Sequence, residues 1–548
     1  MEGCNIFRKN VLSLGHIPTA LLVIGYVVFW IELYLFNTAS GKTSLLAPGI
    51  LSLVSIFVLV NNLTKIKLFI KSIKDSFLRQ SLFSKVFIVL GCVIASAIIG
   101  ITFYASLFSP HLIQEYDSLN YHMTLPRQHL ILNSFKHIRW SSADLFPLPI
   151  DFALAPYWFS TSLPNKFPNY IFFIGLMFVS VSLINSLKCK SLLSKLTIVF
   201  SILGLHAFGV QAGTAMLDII LCYLFIAALD SFLNKRYLLA LTEVTFLFWS
   251  KSFIPIQIVV LLISIFVIYK ILIRLKFSLR LVLEDEGGLV RFSMDKKMKA
   301  RLSMAFVILS LLVGGPFLIK STYYSGTPLY PFFPGILKIN KNIDYESANW
   351  KSIELCAKEH MISKDSYGHG RSPVDFIKHF WLISVPEKGV NNSFDYPVGL
   401  PYLLFLGPFI FLFMISIKRR HIPLIPLYIV LSWLTWWFGS QQSRFLFISI
   451  MLMIIVVLKE VKPTNILLLA VIIAMTFNLL SLYRSHKIDF GKSGFEVLRQ
   501  KDKELIDLSK KYYSDNVKGP IELDYPDVAF AGFPVSVVKS RPPFILEL

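Results

Sequence analysis

Charge is scarce in this chain. Only 16% of its 548 residues are Asp, Glu, Lys or Arg, where a soluble domain carries about a quarter. With 55% hydrophobic residues and a mean hydropathy of +0.63, that shortage excludes an ordinary soluble enzyme. The alternating strands of about ten residues that build a membrane barrel are missing too. Cysteine is rare: Cys4, Cys92, Cys189, Cys222 and Cys356 form no CxxC pair and no His/Cys cluster, so nothing suggests zinc. No internal repeat is evident, which argues against many inverted-repeat transporters. The first apolar run follows few basic residues and precedes no A-x-A-like site, so it reads as a retained helix rather than a cleaved signal.

What the chain has instead is long apolar runs, each of a length to cross a hydrocarbon layer of about 30 Å. The expected fold is an all-α polytopic membrane protein of about 13 transmembrane helices. They fall near 11–36, 45–63, 86–108, 169–187, 196–209, 217–233, 237–253, 254–271, 302–320, 400–417, 422–438, 445–458 and 464–482. With the N-terminus inside, the cytoplasmic segments hold 27 Lys or Arg against seven Asp or Glu, so 20 of the 21 net positive charges lie on one side. The outer segments 321–399 and 483–548 are nearly neutral. This is the positive-inside distribution, and it argues against a basic nucleic-acid surface as the source of a pI of 9.6.

The chain divides into three parts. Residues 1–85 form two accessory spans and a basic cytoplasmic loop. Residues 86–482 form the core, with outer loops 109–168 and 321–399, and 483–548 form a non-cytoplasmic tail. Only Cys356 falls in an outer loop, so no structural disulfide is expected there. Segment 272–301 reads as a cytoplasmic connector with an amphipathic helix on anionic lipid. In 121–135 apolar and polar residues interleave at helical spacing, suggesting a short helix along the membrane surface. Pro147, Pro149, Pro156, Pro164 and Pro168 break the remainder of that loop. The aromatics Trp140, Phe146, Phe152, Tyr157, Trp158 and Phe159 suit the headgroup level.

The residues with chemical potential cluster at the outer rim. Glu115 and Asp117 stand where the chain leaves the third span. Partial desolvation there would raise a carboxylate's pKa and suit it to act as a general base; two water-exposed loop acids are the bland alternative. Asp218 opens the sixth span, where an acid also satisfies free helix amides. Lys251 and Arg444 sit in tight outer turns. Each reads as an interfacial anchor or as a phosphate ligand. Asp230 and Glu243, near Lys235 and Arg236, read as structural, and Glu32 suits either role.

Read together, these segments resemble the GT-C class of integral-membrane glycosyltransferases, in particular the bacterial branch related to protein mannosyltransferases and the aminoarabinose transferase of lipid A. The resemblance covers about 86–458. It rests on Asp117-x-x-x-Tyr121-His122 with Pro126, on Phe146-Pro147-x-Pro149-x-Asp151, on Asp218, on Gly315-Pro316-Phe317 through Thr327-Pro328-Leu329-Tyr330-Pro331, and on Gln441-Gln442-Ser443-Arg444-Phe445. Thr327 stands where the family commonly has Asn, Asp151 where it has Glu, and two extra spans precede the first outer loop.

The resemblance implies a GT-C-like helix arrangement and a polyprenyl-phosphate sugar donor. Asp117 would be the base in an inverting attack. Glu115, Tyr121, His122, Arg127, Asp151, Asp218, Lys251 and Arg444 would bind substrates, Lys251 and Arg444 by neutralising the departing phosphate. In metal-dependent relatives a divalent cation (Mg or Mn) would sit on Glu115, Asp117 and Asp218. The acceptor would be a glycan, lipid or protein, and the site would face outward from a bacterial inner membrane. Two other readings stay open: a polysaccharide polymerase or ligase, which would use Arg371, His360, His369 and His379, and a transporter or flippase of a lipid-linked sugar.

Overall fold

The computed structural model describes residues 13–36, 43–108, 117–138, 142–160, 165–187, 189, 191–251, 296–337, 370–385 and 397–485. It adds scattered positions in 254–280 and 351–394, and the pairs 521–522 and 538–539. The described chain is helical almost throughout. In order, α1 (Ile17–Leu35), α2 (Leu46–Leu78) and α3 (Leu82–Ser106) lead to the region expected as the first outer loop, which contains α4 (Thr124–Leu132) and α5 (Pro149–Trp158). Then come α6 (Phe167–Ser186), α7 (Leu192–Gly204), α8 (His206–Ala212), α9 (Asp218–Leu233) and α10 (Tyr237–Trp249). After these come α11 (Lys296–Val313), α12 (Gly315–Ser325), α13 (Pro373–Leu382), α14 (Pro401–Lys418), α15 (Leu424–Phe438), α16 (Phe447–Glu460) and α17 (Asn465–Ser485). Two short parallel pairings, Ser278–Arg280 with His421–Pro423 and Ile521–Glu522 with Val538–Lys539, are the strands among the described residues.

Among the described residues, six helices are long and apolar enough to cross a membrane, or up to eight if α7 with α8 (bent 72°) and α11 with α12 (bent 55°) each count once. The fold is that of a multi-pass helical protein. The expected 13 crossings are not reached on this criterion. Helices α10 and α15 are apolar but short, and much of 252–277 lies outside the described residues.

Proline starts these helices more than it breaks them. Pro18, Pro149, Pro168, Pro316, Pro373 and Pro401 each lie in a first turn, where a missing N–H costs no intrahelical bond. Pro149 therefore opens α5, contrary to its reading as a breaker. Ser372 and Asp375 add a reciprocal cap to α13. In helix α2 the apolar stretch Leu46–Thr64 agrees with the span expected near 45–63, and the helix itself runs on 33 residues to Leu78, because Lys, Leu, Ile and Phe continue without Gly or Pro.

Burial separates the helices into centre and rim. Most of α9 and all of Phe447–Leu458 except the partly buried Ile448 are buried, whereas α2, α11 and α17 leave large apolar side chains exposed. Helix α9 packs against α6, α10 and α16, and α17 against α3 and α7. Helix α5 packs on α1, with Tyr157 Oη donating to Leu21 O at 3.1 Å. Phe152, Tyr157, Trp158 and Phe159 are consequently interior, and α4 is mostly buried. The first outer region thus tucks into the bundle instead of lying along a lipid surface. Its aromatics are dense because they fill the space between α1 and the centre.

Candidate functional site

The two central helices begin at the same end of the bundle, and the site grows from their starts. Asp218 is the first residue of α9, yet its carboxylate does not cap the helix. Gln211, from α8, caps it instead. The Gln211 Oε1 accepts from the amide of Ile219 at 3.0 Å, and its Nε2 donates to Asp218 Oδ2 at 3.2 Å. Asp218 is thereby released to pair with Lys251, just beyond α10, at 3.1 Å. Arg444 lies in the short turn before α16. Its Nη1 donates to Asp117 Oδ2 at 2.9 Å and its Nε to Gln442 Oε1 at 2.9 Å, with Asp218 Oδ2 at 3.9 Å. Trp436 Nε1 anchors this turn by donating to Gln442 O at 2.7 Å. Asp117, Arg444, Asp218 and Lys251 therefore form one continuous chain of ion pairs, drawn from four distant parts of the sequence.

His122 and Asp151 flank it. His122 Nδ1 is 2.8 Å from Asp151 Oδ1, and both side chains are buried. The Tyr121 ring lies 4.1 Å from that of His122. Its phenol is pushed well up, by burial first and then by Asp117, against which Arg444 pulls down, with Asp151 and Asp218 adding to the rise. That puts the phenol within the field of all four groups. Burial also raises Asp151, with His122 opposing. Asp117 goes the other way. Burial would raise it, but Arg444 and His122 outweigh burial and hold it below the usual carboxylate range. The expectation that a rim position would make Asp117 more basic is thus overturned, because Arg444 reaches it. Arg127 lies over the Phe159 ring, 5.5 Å from its centre. Glu115 falls outside the described residues.

An apolar groove leads away from this charged end. Asp218, Leu221 and Phe225 face it from successive turns of α9, and Thr435, Ser432 and Tyr428 from successive turns of α15. It therefore runs about 10 Å along the helices. Arg444 sits at its charged end, and its empty volume is about 760 Å³, counting the open side.

No family model, curated protein or solved structure matches this chain.

Among the described residues no group of three or more His, Cys, Asp or Glu is arranged to hold a metal ion. Asp117 and Asp218 each give an oxygen to a cationic side chain, and Glu115, the third residue of the expected set, lies outside the described residues.

Sequence reasoning missed one polar hub and the histidine of another. Asp144 is buried and accepts from Lys320 at 2.8 Å and from the amide of Ile138 at 2.8 Å, with His129 at 2.7 Å and His137 at 3.1 Å. This hub ties the outer region to α12. A lysine at the end of an apolar span was its one sequence signal. At the other end of α9, His16 lies 3.2 Å from Asp230 and 2.8 Å from Glu243, all fully buried. Asp230 also pairs with Arg236 at 3.4 Å, in keeping with its structural reading, whereas Glu243 turns to His16 and Thr19. Glu32 accepts from the amide of Ser44 at 2.7 Å and from its hydroxyl at 2.5 Å, tying the end of α1 to the residues just before α2. His379 sits against the rings of Phe376, Phe380, Trp436 and Trp437, and burial lowers its pKa to about 4. His360 and His369 fall outside the described residues.

Proposed function

We propose that this chain is a membrane glycosyltransferase that moves a sugar from a polyprenyl-phosphate donor to an acceptor on the non-cytoplasmic face of a bacterial inner membrane. The observation that carries the reading is the juxtaposition of acids and fixed cations with an apolar groove. An isoprenoid tail suits the groove of Leu221, Phe225, Tyr428 and Phe447. Its phosphate suits Arg444 and Lys251, which stand at the groove's charged end. The proposed arrangement is GT-C-like with about 13 crossings, α10 and α15 supplying short ones.

In the proposed reaction an acceptor hydroxyl oxygen attacks the anomeric carbon. Asp117 takes the hydroxyl proton, and the bond from the anomeric carbon to the phosphate oxygen breaks. Polyprenyl phosphate leaves as Arg444 and Lys251 neutralise it, which is where fixed charge lowers a barrier most. Inversion at the anomeric carbon results from the single displacement. Tyr121, His122 and Asp151 shape the acceptor side.

The test is enzymatic. Purified protein in detergent should release polyprenyl phosphate from a polyprenyl-phosphate sugar when an acceptor is present. Asp117→Asn should cut the rate by about 10² to 10⁴-fold, the range for loss of a general base, without loss of expression. Full activity in Asp117→Asn would remove the proposed base. A second reading, a lipid-linked sugar transporter, draws on the 72° break between α7 and α8, since broken helices line many transport sites. It predicts that the sugar–phosphate bond stays intact.

A further inference from the structure

In the protein as it stands, the cations suited to a phosphate are already occupied by the acids suited to chemistry. Arg444 Nη1 holds Asp117 Oδ2 at 2.9 Å. Lys251 holds Asp218 Oδ1 at 3.1 Å, and Arg444 Nε lies 3.9 Å from the other oxygen of Asp218. These side chains are 4 to 22% exposed, so an anion entering here is only weakly screened by water. Arg444 has a fixed tether of its own in Gln442. A phosphate that draws on Nη1 of Arg444 therefore competes with Asp117 for the same guanidinium nitrogen.

We infer that Asp117 and Asp218 act as placeholders for the donor phosphate, so that donor binding detaches Asp117 from Arg444 and only then frees it to accept a proton. This deepens the glycosyltransferase reading and rests on it. The exchange is one of ion pairs, with no covalent change. The donor's phosphodiester monoanion takes the guanidinium and ammonium groups, and the two carboxylates lose their cationic partners, while the polyprenyl phosphate that leaves carries the second charge. Asp117 keeps its ability to accept a proton idle while Arg444 neutralises it. Once the guanidinium turns to the phosphate, the burial that acts on Asp117 is no longer outweighed to the same degree, and its affinity for a proton rises. Donor would therefore bind before acceptor, and an acceptor alone would meet a silenced base. Water entering an unloaded site would meet the same silenced group.

The size of the consequence is testable. Any carboxylate near a phosphate repels it through space, but Asp117 and Asp218 also occupy the cations the phosphate would take, so removing either one also removes a competitor. Binding of a long-chain polyprenyl monophosphate to the full-length protein in detergent is measured directly, with the neutral polyprenol as reference. Asp117→Asn is expected to bind the monophosphate about tenfold more tightly than the parent protein, with the polyprenol unchanged. Asp218→Asn should shift in the same direction through Lys251, and it serves as the second variant if the first folds poorly. Asp151→Asn removes the same charge from the same region but from a carboxylate paired with His122, so it should gain clearly less. Equal or weaker binding by both Asp117→Asn and Asp218→Asn, or an equal gain in Asp151→Asn, overturns the placeholder inference while leaving the glycosyltransferase reading standing. Failure of the parent protein to distinguish the monophosphate from the polyprenol sinks that reading and takes the inference with it.

Discussion

Asp144 shows what one buried carboxylate can do when every oxygen is used. Burial alone would raise it, but Lys320 and then His129 hold it well below the ordinary carboxylate range. His129 is itself lowered, by burial first, with Asp144 opposing and Lys320 assisting. Both folded-state pKa values are depressed, so both contributions to stability are present above the unfolded values and fade as pH falls through the folded ones. For His129 the loss begins below about pH 6.5, and for Asp144 below about 3.9. The thermal unfolding midpoint in detergent should therefore drop as pH falls from 7 towards 5, and His129→Gln should flatten that drop. Asp144→Asn should cost about 3–5 kcal/mol at neutral pH by leaving Lys320 without its buried partner. A midpoint that is flat with pH in the parent protein would contradict this account. None of this was readable in the sequence, where Asp144 and Lys320 are isolated residues 176 positions apart.

At the scale of elements, close approach decides more than helix propensity. A Cβ on Gly25 of α1 would come within 1.9 Å of Ala153 O and 2.6 Å of the Tyr157 ring. That glycine is what lets α1 and α5 lie in contact and so fixes where the outer region sits. Gly100 of α3 has nothing within 4 Å of such an atom. Gly25→Ala should therefore destabilise by about 1–3 kcal/mol, the usual overpacking range. Gly100→Ala should be neutral or stabilise by up to about 1 kcal/mol through helix propensity. Unfolding in detergent separates the two, and equal shifts would refute the packing argument. Most of the helices themselves were legible from apolar runs. The interior position of α4 and α5 was not, because an amphipathic or aromatic pattern signals a buried face without saying whether protein or headgroups bury it.

Across the whole molecule, the two ends of α9 carry opposite kinds of polar site. Asp218 stands in an ion-pair chain beside a groove, and Asp230, about 18 Å along the helix, is closed off with His16 and Arg236. The expected topology puts the first end outside. A reporter fused near residue 135 should register the non-cytoplasmic side, and a cytoplasmic signal would reverse the sidedness of every loop. What the sequence by itself determined is what depends on local composition: which segments prefer an apolar medium and how lopsided the charge is between them, from which Asp117, Asp218, Lys251 and Arg444 are expected at one rim. Only the tertiary structure decided which cation meets which acid, that Gln211 relieves Asp218 of capping, and that Arg444 lowers Asp117 instead of burial raising it. The reason is physical. Hydropathy measures a segment's preference for leaving water, which is a property of its own atoms. An ion pair between residues 327 positions apart is set by how packed helices bring their ends together, and no single segment carries that information.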